Sequence, residues 1–162
     1  MDPNYEIDNL DRQILAYLVK DAKMPYTEIA KNLIVSPGTI HVRVKKLESM
    51  GVIKGSTLIL DPARLGYDLV SFIGIYLVKG SVYHEVIREL DSIPEIVEAY
   101  YTTGSYSIFA KIVCRNTGHL RDILSDKIQG IAGVIRTETI ISLEESIRKQ
   151  IPIETIPANQ TN

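Results

Sequence analysis

The spacing of apolar residues changes once along this chain of 162 residues, and the change limits the folds that the chain can form. In the first part of the chain apolar residues recur every three or four positions, which is the period of a helix face. In the later part many recur at every second position, which is the period of a strand. We therefore predict an α+β protein with a helical domain at 1–55 and a strand-rich domain at 69–145. The link would be 56–68, and 146–162 would be a tail whose polar end, 157–162, is predicted to be disordered.

The helical domain contains three candidate helix starts. Asp8 and Thr27 are candidate N-caps for the first two helices. Ser36-Pro37 is a stronger signal for the third, because a capping hydroxyl precedes a proline at the first helical position, where its missing N–H costs nothing. Gly51 would end that helix, and its buried stripe would consist of Ile40, Val44 and Leu47. Three short helices with a tight turn before the third indicate a helix-turn-helix unit.

The face of the third helix opposite this stripe is locally basic, although the formal net charge of the whole chain is −2. Basic groups can neutralise phosphates. Hydroxyl and imidazole groups can bind base edges, and small apolar groups can contact a thymine methyl or allow close approach. The candidate DNA-binding residues are therefore Ser36, Gly38, Thr39, His41, Val42, Arg43, Lys45 and Lys46. The alternative is a solvated helix face in an ordinary small α-helical domain.

The strand-rich domain has the predicted order β-α-β-β-α-β, which is the ferredoxin-like split β-α-β fold. The predicted strands are 69–78, 96–103, 106–114 and 134–143, with Ser81 and Thr117 as caps of the two helices. Both helices would cover one face of a single antiparallel sheet. Only Gly104 and Ser105 separate the second and third strands, which predicts a two-residue hairpin that begins with glycine.

Both sets of alternating positions in these strands include apolar residues. A sheet covered on one side only should be polar on its open face. The apolar residues of one set include Ile73, Ile75, Ile108 and Ile112, and those of the other include Phe72, Tyr76, Phe109 and Val113. This pattern predicts that the open face is buried against another subunit. The alternative is that residues 144–162 fold back over it.

The sequence contains no arrangement of residues that is typical of an enzyme or a metal site. The three histidines, His41, His84 and His119, have no ligand spacing, and the single cysteine, Cys114, excludes an internal disulfide and a cysteine zinc site. There is also no Walker A loop and no GxGxxG pattern. We therefore predict no catalytic residue, no metal and no cofactor.

Three features lead us to expect a cytoplasmic protein. The acidic start, 1–6, lacks the basic-then-apolar order of a signal peptide. No run of 18 apolar residues could span a membrane. A single cysteine gives no indication of an oxidising compartment.

Hydroxyl groups are dense at the predicted hairpin tip. A glycine there exposes backbone N–H groups that could hold a carboxylate, and the hydroxyls could bind a polar side chain. The candidate effector-binding residues are Thr102, Thr103, Gly104, Ser105, Tyr106 and Ser107. The alternative is that Ser, Thr and Tyr occur here only because they suit turns and strands.

Four stretches together resemble a known family. They are Ile7-Asp8-Asn9-Leu10-Asp11-Arg12, Val35-Ser36-Pro37-Gly38-Thr39-Ile40-His41-Val42-Arg43-Val44, Leu65-Gly66-Tyr67-Asp68 and Glu98-Ala99-Tyr100-Tyr101-Thr102-Thr103-Gly104. In this order they resemble the leucine-responsive/asparagine-responsive (Lrp/AsnC) transcriptional regulators, from about Tyr5 to about Leu143. The last stretch, followed by Tyr106-Ser107-Ile108-Phe109, is most similar to the asparagine-responsive type.

The resemblance implies a regulator that binds specific double-stranded DNA and responds to an amino acid. It implies homodimers that associate through the sheets, often a ring of four dimers, and an effector bound between dimers near the hairpin tip. Many relatives carry Gly-Asp-x-Asp there, whereas this chain has Gly104-Ser105-Tyr106-Ser107. The difference favours asparagine over leucine. It leaves backbone carbonyls or Glu138 as alternatives for binding the effector's ammonium group.

Two other functions are compatible with the same pattern. One is an amino-acid-binding, ring-forming module that does not read DNA, which the charge on the third helix disfavours. The other is a small enzyme on a ferredoxin-like fold, which the lack of a nucleophile–base cluster disfavours.

Overall fold

The structure is a computed structural model that describes residues 6–155. Residues 1–5 and 156–162 lie outside the described residues, and with them most of the acidic start and the tail end predicted to be disordered. The chain divides into two compact units. One is Ile59–Ile147, and the other contains the described residues on either side of it. Among the described residues, no helix has the length and apolar character needed to cross a membrane.

The first unit consists of three helices, α1 (Asn9–Lys20), α2 (Tyr26–Leu33) and α3 (Pro37–Ser49). The predicted caps of α1 and α3 are confirmed. The Asp8 carboxylate accepts from the Asp11 N–H at 2.9 Å, and the Ser36 hydroxyl accepts from the Thr39 N–H at 3.0 Å. The predicted cap at Thr27 is wrong, because α2 already begins at Tyr26, directly after Pro25. Pro25 has no N–H and fixes its own φ near the helical value, so the helix begins there without a side-chain cap.

The core of this unit lies where the apolar spacing predicts it. Ile40 and Val44 of α3 are buried against Ile14 of α1 and against Ile29 and Ala30 of α2. Leu47, the third member of the predicted stripe, is also buried. The face of α3 opposite this stripe is consequently the one that the unit leaves on its surface.

The turn between α2 and α3 contains a residue in an uncommon conformation. Ile34 has a φ of 56°, in the left-handed region, and its side chain is 93% exposed. Its neighbour Val35 donates its N–H to the Ala30 carbonyl at 3.0 Å, which closes the end of α2. Glycine usually occupies such a position, because a β-branched side chain clashes with its own backbone there.

The second unit has the predicted β-α-β-β-α-β order, which confirms the α+β class. Its strands are β1 (Leu69–Leu77), β2 (Ile96–Tyr101), β3 (Ile108–Cys114) and β4 (Val134–Ile141). Its helices are α4 (Tyr83–Asp91) and α5 (Thr117–Asp122), and α5 continues as a π-helical turn over Ile123–Ile128. The antiparallel sheet has the order β2-β3-β1-β4, so β1 and β3 are central and β2 and β4 are the edges.

Both predicted caps in this unit are wrong by one residue. Ser81 lies inside a 3-10 turn, Gly80–Val82, and α4 begins after it without a side-chain cap. Thr117 is the first residue of α5, and the cap is Asn116, whose side-chain oxygen accepts from the His119 N–H at 2.9 Å. Asparagine competes well with threonine as a cap, so sequence alone does not separate two adjacent candidates.

The predicted two-residue hairpin is also wrong. β2 ends at Tyr101 and β3 begins at Ile108, so the connection is the six-residue loop 102–107, called here the ligand loop after the effector site that the sequence predicts there. The Ser107 N–H donates to Ile75 of β1 at 2.9 Å rather than to β2. Gly104 is not among the glycines with positive φ, whereas a hairpin turn that begins with glycine requires one.

The two faces of the sheet differ in what covers them. The face with Ile73, Ile75, Ile108 and Ile112 is buried under α4 and α5, and it forms the core with residues such as Val86, Leu90 and Leu120. The other face, called here the open face, carries Phe72, Tyr76, Phe109 and Val113, which are all partly exposed. Apolar groups therefore occur on both faces, as predicted.

One residue that follows β4 forms an ion pair with the open face. The Glu145 carboxylate lies 3.3 Å from the Lys111 ammonium on β3. The apolar residues next to it, Leu143 and Ile147, are both exposed. Leu143 and Ile147 therefore do not bury the open face, as the alternative of a folded-back tail would require of apolar residues in 144–162 and just before it.

Candidate nucleic-acid interface and ligand loop

The surface of α3 presents most of the predicted DNA-binding residues together. Gly38, His41, Val42 and Lys45 are exposed, and Thr39 and Lys46 are half-buried. Val42 is 65% exposed, so it contributes little to the core of its own unit. The His41 ring lies 6.0 Å from the ring of Tyr26 on α2. The result is a basic surface with one apolar group and one imidazole at its centre.

Arg43, one of the predicted DNA-binding residues, is bound by two carboxylates of its own unit. Its Nη1 lies 2.6 Å from the Asp8 Oδ2 and 2.9 Å from the Asp11 Oδ1, at the start of α1. Burial opposes ionisation of the Asp8 carboxyl, but hydrogen bonds from the Asp11 amide and from Arg43 lower its pKa below the usual value. The same two carboxylates raise the pKa of Arg43 despite its partial burial. Arg43 therefore joins α3 to α1 in this structure.

The hydroxyl of Ser36 is used within the protein as well. It caps α3 and also shares a hydrogen bond of 2.8 Å with the Thr39 hydroxyl. Ser36 therefore positions Thr39 and the first turn of α3. These two hydrogen bonds leave the Ser36 hydroxyl one further hydrogen-bonding position.

The ligand loop has an exposed tip and a fixed base. Thr103, Gly104 and Ser105 are exposed, and a Cβ added at Gly104 would meet no atom within 4 Å. At the base the Thr102 hydroxyl donates to the Tyr106 carbonyl at 2.6 Å, and the Thr102 N–H donates to the Ser107 carbonyl at 3.1 Å. The six predicted effector-binding residues are thus brought together, but they form a projecting surface and no enclosed cavity.

A carboxylate on the open face holds Tyr106. The phenol of Tyr106 donates to the Glu138 Oε2 at 2.9 Å, and that of Tyr76 donates to the Glu138 Oε1 at 2.9 Å. Arg136 lies 2.9 Å from Glu138 and 3.8 Å from the centre of the Tyr76 ring. The hydrogen bonds from Tyr76 and Tyr106 lower the pKa of Glu138. The hydrogen bond to Glu138 in turn raises the pKa of Tyr106. Glu138, one alternative for the effector's ammonium group, thus already has three partners here.

The sequence pattern predicts little of this cluster. It marks Tyr76 only as an apolar strand residue, and it assigns no role to Arg136 or Gly74. The Tyr106 ring lies directly on Gly74, where an added Cβ would come 2.3 Å from the ring. A glycine in the middle of an apolar strand is the signal that was available, because it indicates that another group approaches the backbone closely.

Some other titratable groups in the described part of the chain lie away from the ligand loop and α3. No group of three His, Cys, Asp or Glu side chains could hold a metal within residues 6–155. Burial, with a smaller contribution from Glu95, raises the pKa of the Cys114 thiol to about 11. His119 accepts the Arg115 N–H at its Nδ1 and lies 3.3 Å from Glu95 at its Nε2, so it joins the end of β3 to α5.

Both units match known protein families. Residues 7–54 match a winged helix-turn-helix DNA-binding family, and residues 70–151 match the Lrp/AsnC ligand binding domain. The chain is 50% identical over 147 residues to a protein named Regulatory protein AsnC from Haemophilus influenzae, covering 91% of this chain and 98% of that one. It is 48% identical over 148 residues to the protein of the same name from Escherichia coli K12, covering 91% and 97%.

Two solved structures have a similar fold. The structure of Escherichia coli AsnC matches with a TM-score of 0.86 and 47% identity, over 91% of this chain and 99% of that one. A feast or famine regulatory protein from Mycobacterium tuberculosis, complexed with L-methionine, matches with a TM-score of 0.85 and 26% identity, over 92% and 100%.

Proposed function

The chain belongs to the Lrp/AsnC family and is a DNA-binding transcription regulator rather than an enzyme, and we propose that asparagine is the amino acid that controls it. The observation that carries this choice is the identity of about half of all residues with proteins named AsnC, over nearly the whole chain. The loop sequence supports it. Thr102-Thr103-Gly104-Ser105 offers hydroxyl and backbone groups to an amide side chain but no apolar pocket for leucine.

The proposed DNA-reading surface is the exposed face of α3. Lys45 and Lys46 would bind phosphates, and Thr39, His41 and Val42 would contact base edges, with Gly38 allowing close approach. Ser36 would act by holding Thr39 in place, and Arg43 by fixing α3 on α1, for the reasons given by their hydrogen bonds. Such a protein would act in the cytoplasm, where the chromosome of a bacterium lies.

The proposed effector site is the tip of the ligand loop, completed by a second subunit. The loop alone is too exposed to bury a ligand, since binding sites are normally concave. A shallow groove of about 390 Å³ between α4 and β2 is lined by residues such as Ile87, Arg88 and Val97, and no loop residue borders it. A neighbouring subunit would therefore have to supply the other wall.

The proposed assembly is a homodimer formed through two open faces, with four dimers in a ring. The rings of Phe72 and Phe109 stack on the open face with centroids 5.7 Å apart and an angle of 5° between them. Flat, partly exposed aromatic surface of this kind is typical of an interface core. Two reading helices in one dimer would also reach successive half-sites on DNA.

Calorimetry tests the choice of effector. The protein is titrated with asparagine, glutamine, aspartate and leucine under identical conditions. We expect heat of binding with asparagine at a lower concentration than with the other three. Binding of leucine alone would contradict the proposal, and so would a thermal-shift screen of the twenty amino acids in which asparagine gives no stabilisation, because a bound ligand must raise the stability of the folded state.

A further inference from the structure

The side chain of Tyr106 extends from the ligand loop across the open face. Its ring lies on Gly74 of β1, and its hydroxyl reaches Glu138 of β4 at 2.9 Å. Because the strand order is β2-β3-β1-β4, a residue placed just before β3 passes over the central strand to reach the far edge. A single side chain therefore connects the ligand loop with two strands, β1 and β4.

Both ends of this connection are fixed. On the loop side, the Tyr106 carbonyl accepts from the Thr102 hydroxyl at 2.6 Å. On the strand side, Glu138 is held by the Tyr76 phenol at 2.9 Å and by Arg136 at 2.9 Å. An added Cβ at Gly74 would overlap the ring, so the ring position depends on a glycine there. A shift of the loop backbone would therefore move the ring.

The same ring belongs to the aromatic surface of the open face. Its centroid lies 5.9 Å from that of Phe109, at an angle of 26°, and Phe109 in turn stacks on Phe72. Packed aromatic surfaces change between discrete arrangements instead of deforming continuously. A small displacement of Tyr106 would consequently change the surface on which a second copy packs.

We propose that Tyr106 is the positioning residue through which an amino acid at the ligand loop alters the packing of the open face, and thereby the affinity for DNA. This inference rests on the proposed function. The ligand touches the exposed tip of the loop, Tyr106 transmits the change of loop conformation to the face, and Glu138 keeps the ring in one of two positions. The effect can be no larger than the difference in ligand affinity between those two arrangements.

The test measures DNA affinity with and without saturating L-asparagine, on the genomic fragment that the wild-type protein binds most tightly. The variant is Tyr106→Phe, which keeps the ring and removes only the hydrogen bond to Glu138. The matched control is Tyr100→Phe, which removes a phenol from the same face that donates to Glu98 at 2.8 Å and lies outside the ligand loop. Calorimetry with asparagine and light scattering accompany each variant.

We expect Tyr106→Phe, measured at an asparagine concentration that calorimetry shows to be saturating for that variant, to lose most of the change in DNA affinity that asparagine causes. If asparagine changes the wild-type affinity for DNA by about tenfold, a typical coupling, the variant should retain about twofold and Tyr100→Phe the full effect. A purely structural role would lower the DNA affinity equally with and without asparagine. The ratio of these two affinities would then be unchanged, which would overturn the inference. So would a full response in Tyr106→Phe.

A second pair of variants guards against an uninformative loss of folding. Gly74→Ala should displace the ring and abolish the response, while Gly130→Ala, where an added Cβ meets no atom within 4 Å, should leave it intact. If Gly74→Ala responds to asparagine as strongly as the wild type does, the inference is overturned but the proposed function is not. The absence of any asparagine response in the wild type overturns the proposed function, and the inference with it.

Discussion

The guanidinium of Arg43 on α3 lies 2.9 Å from the carboxylate of Asp11 on α1, and the side chain of Asp11 is completely buried. The same guanidinium binds Asp8, which caps α1. A residue of α3 thus holds that helix against α1. These two ion pairs are structural contacts, and they engage a guanidinium that the sequence predicts to bind DNA.

The first prediction separates stability from DNA binding on α3. Arg43→Ala removes a charged donor from a buried carboxylate, and we expect it to lower the free energy of unfolding by about 3 kcal/mol, as is typical when one partner of a buried pair is removed. Lys45→Ala, at an exposed position on the same helix, should leave stability unchanged. Urea denaturation of both variants measures the difference. Equal stability of the two would contradict the structural role of Arg43.

The second prediction concerns the salt dependence of DNA binding. Lys45→Ala and Lys46→Ala together should weaken binding to every DNA sequence and reduce the slope of log K against log salt by about 0.9 for each lost phosphate contact. His41→Ala should instead reduce discrimination between sites by about 1–3 kcal/mol. Lys20→Ala, on α1, serves as the control for charge alone. A gel shift that is unchanged in the double variant at every salt concentration would exclude α3 as the reading helix and favour an assembly module that does not bind DNA.

The third prediction uses the strained turn before α3. Ile34 has a φ of 56° and an almost fully exposed side chain, so it has the cost of a left-handed conformation without the benefit of burial. Ile34→Gly should therefore raise the free energy of unfolding by about 1 kcal/mol. Ile34→Ala keeps a Cβ and should gain much less. Thermal unfolding compares the three proteins, and a glycine variant less stable than the wild type would show that the strain is not relieved in this way.

The fourth prediction tests the dimer through two neighbouring residues of β4. Ile140 is 50% exposed and pairs with Phe72 of the open face, whereas Ile141 is 46% exposed and pairs with Ser71, whose side chain lies on the covered face. Ile140→Lys should dissociate the dimer, because it places an unpaired charge in the proposed interface. Ile141→Lys, with similar exposure on the other face, should not.

Light scattering at micromolar concentration measures the outcome. A wild-type mass equal to one chain of 18.2 kDa would refute the proposed dimer at once. Equal masses for the two lysine variants would show that the open face is not the interface.

The elements could be predicted because their apolar spacing is a local property. The stripe Ile40, Val44 and Leu47 lies on the core side of α3 and is buried as its period requires. The fate of Arg43 could not be predicted in this way. Its guanidinium reaches Asp11, 32 residues earlier in the chain, and spacing along one helix carries no information about such a partner.

The ligand loop illustrates the same limit. Tyr106 has high strand propensity, and its predicted place at the start of a strand follows from that. Its ring instead folds onto Gly74 and its hydroxyl onto Glu138, both distant in sequence. These contacts lengthen the connection from two residues to six. Tertiary contacts therefore override propensity here, and the contact of the ring depends on the absence of a side chain at Gly74.

The fifth prediction concerns Gly104, at the tip of the ligand loop. The loop does not need glycine for its own conformation, because Gly104 lacks a positive φ and an added Cβ meets no atom. Gly104→Val should therefore fold normally, form dimers and bind DNA. It should nevertheless lose the ability to bind asparagine, because a branched side chain would shield the backbone N–H groups that are proposed to bind the ligand's carboxylate.

The control for a branched apolar group is Thr117→Val, at a position that is also exposed but lies outside the loop. Calorimetry with asparagine decides the matter: undiminished binding in Gly104→Val would place the ligand elsewhere, whereas loss of binding with dimers and DNA affinity retained would locate it at this tip.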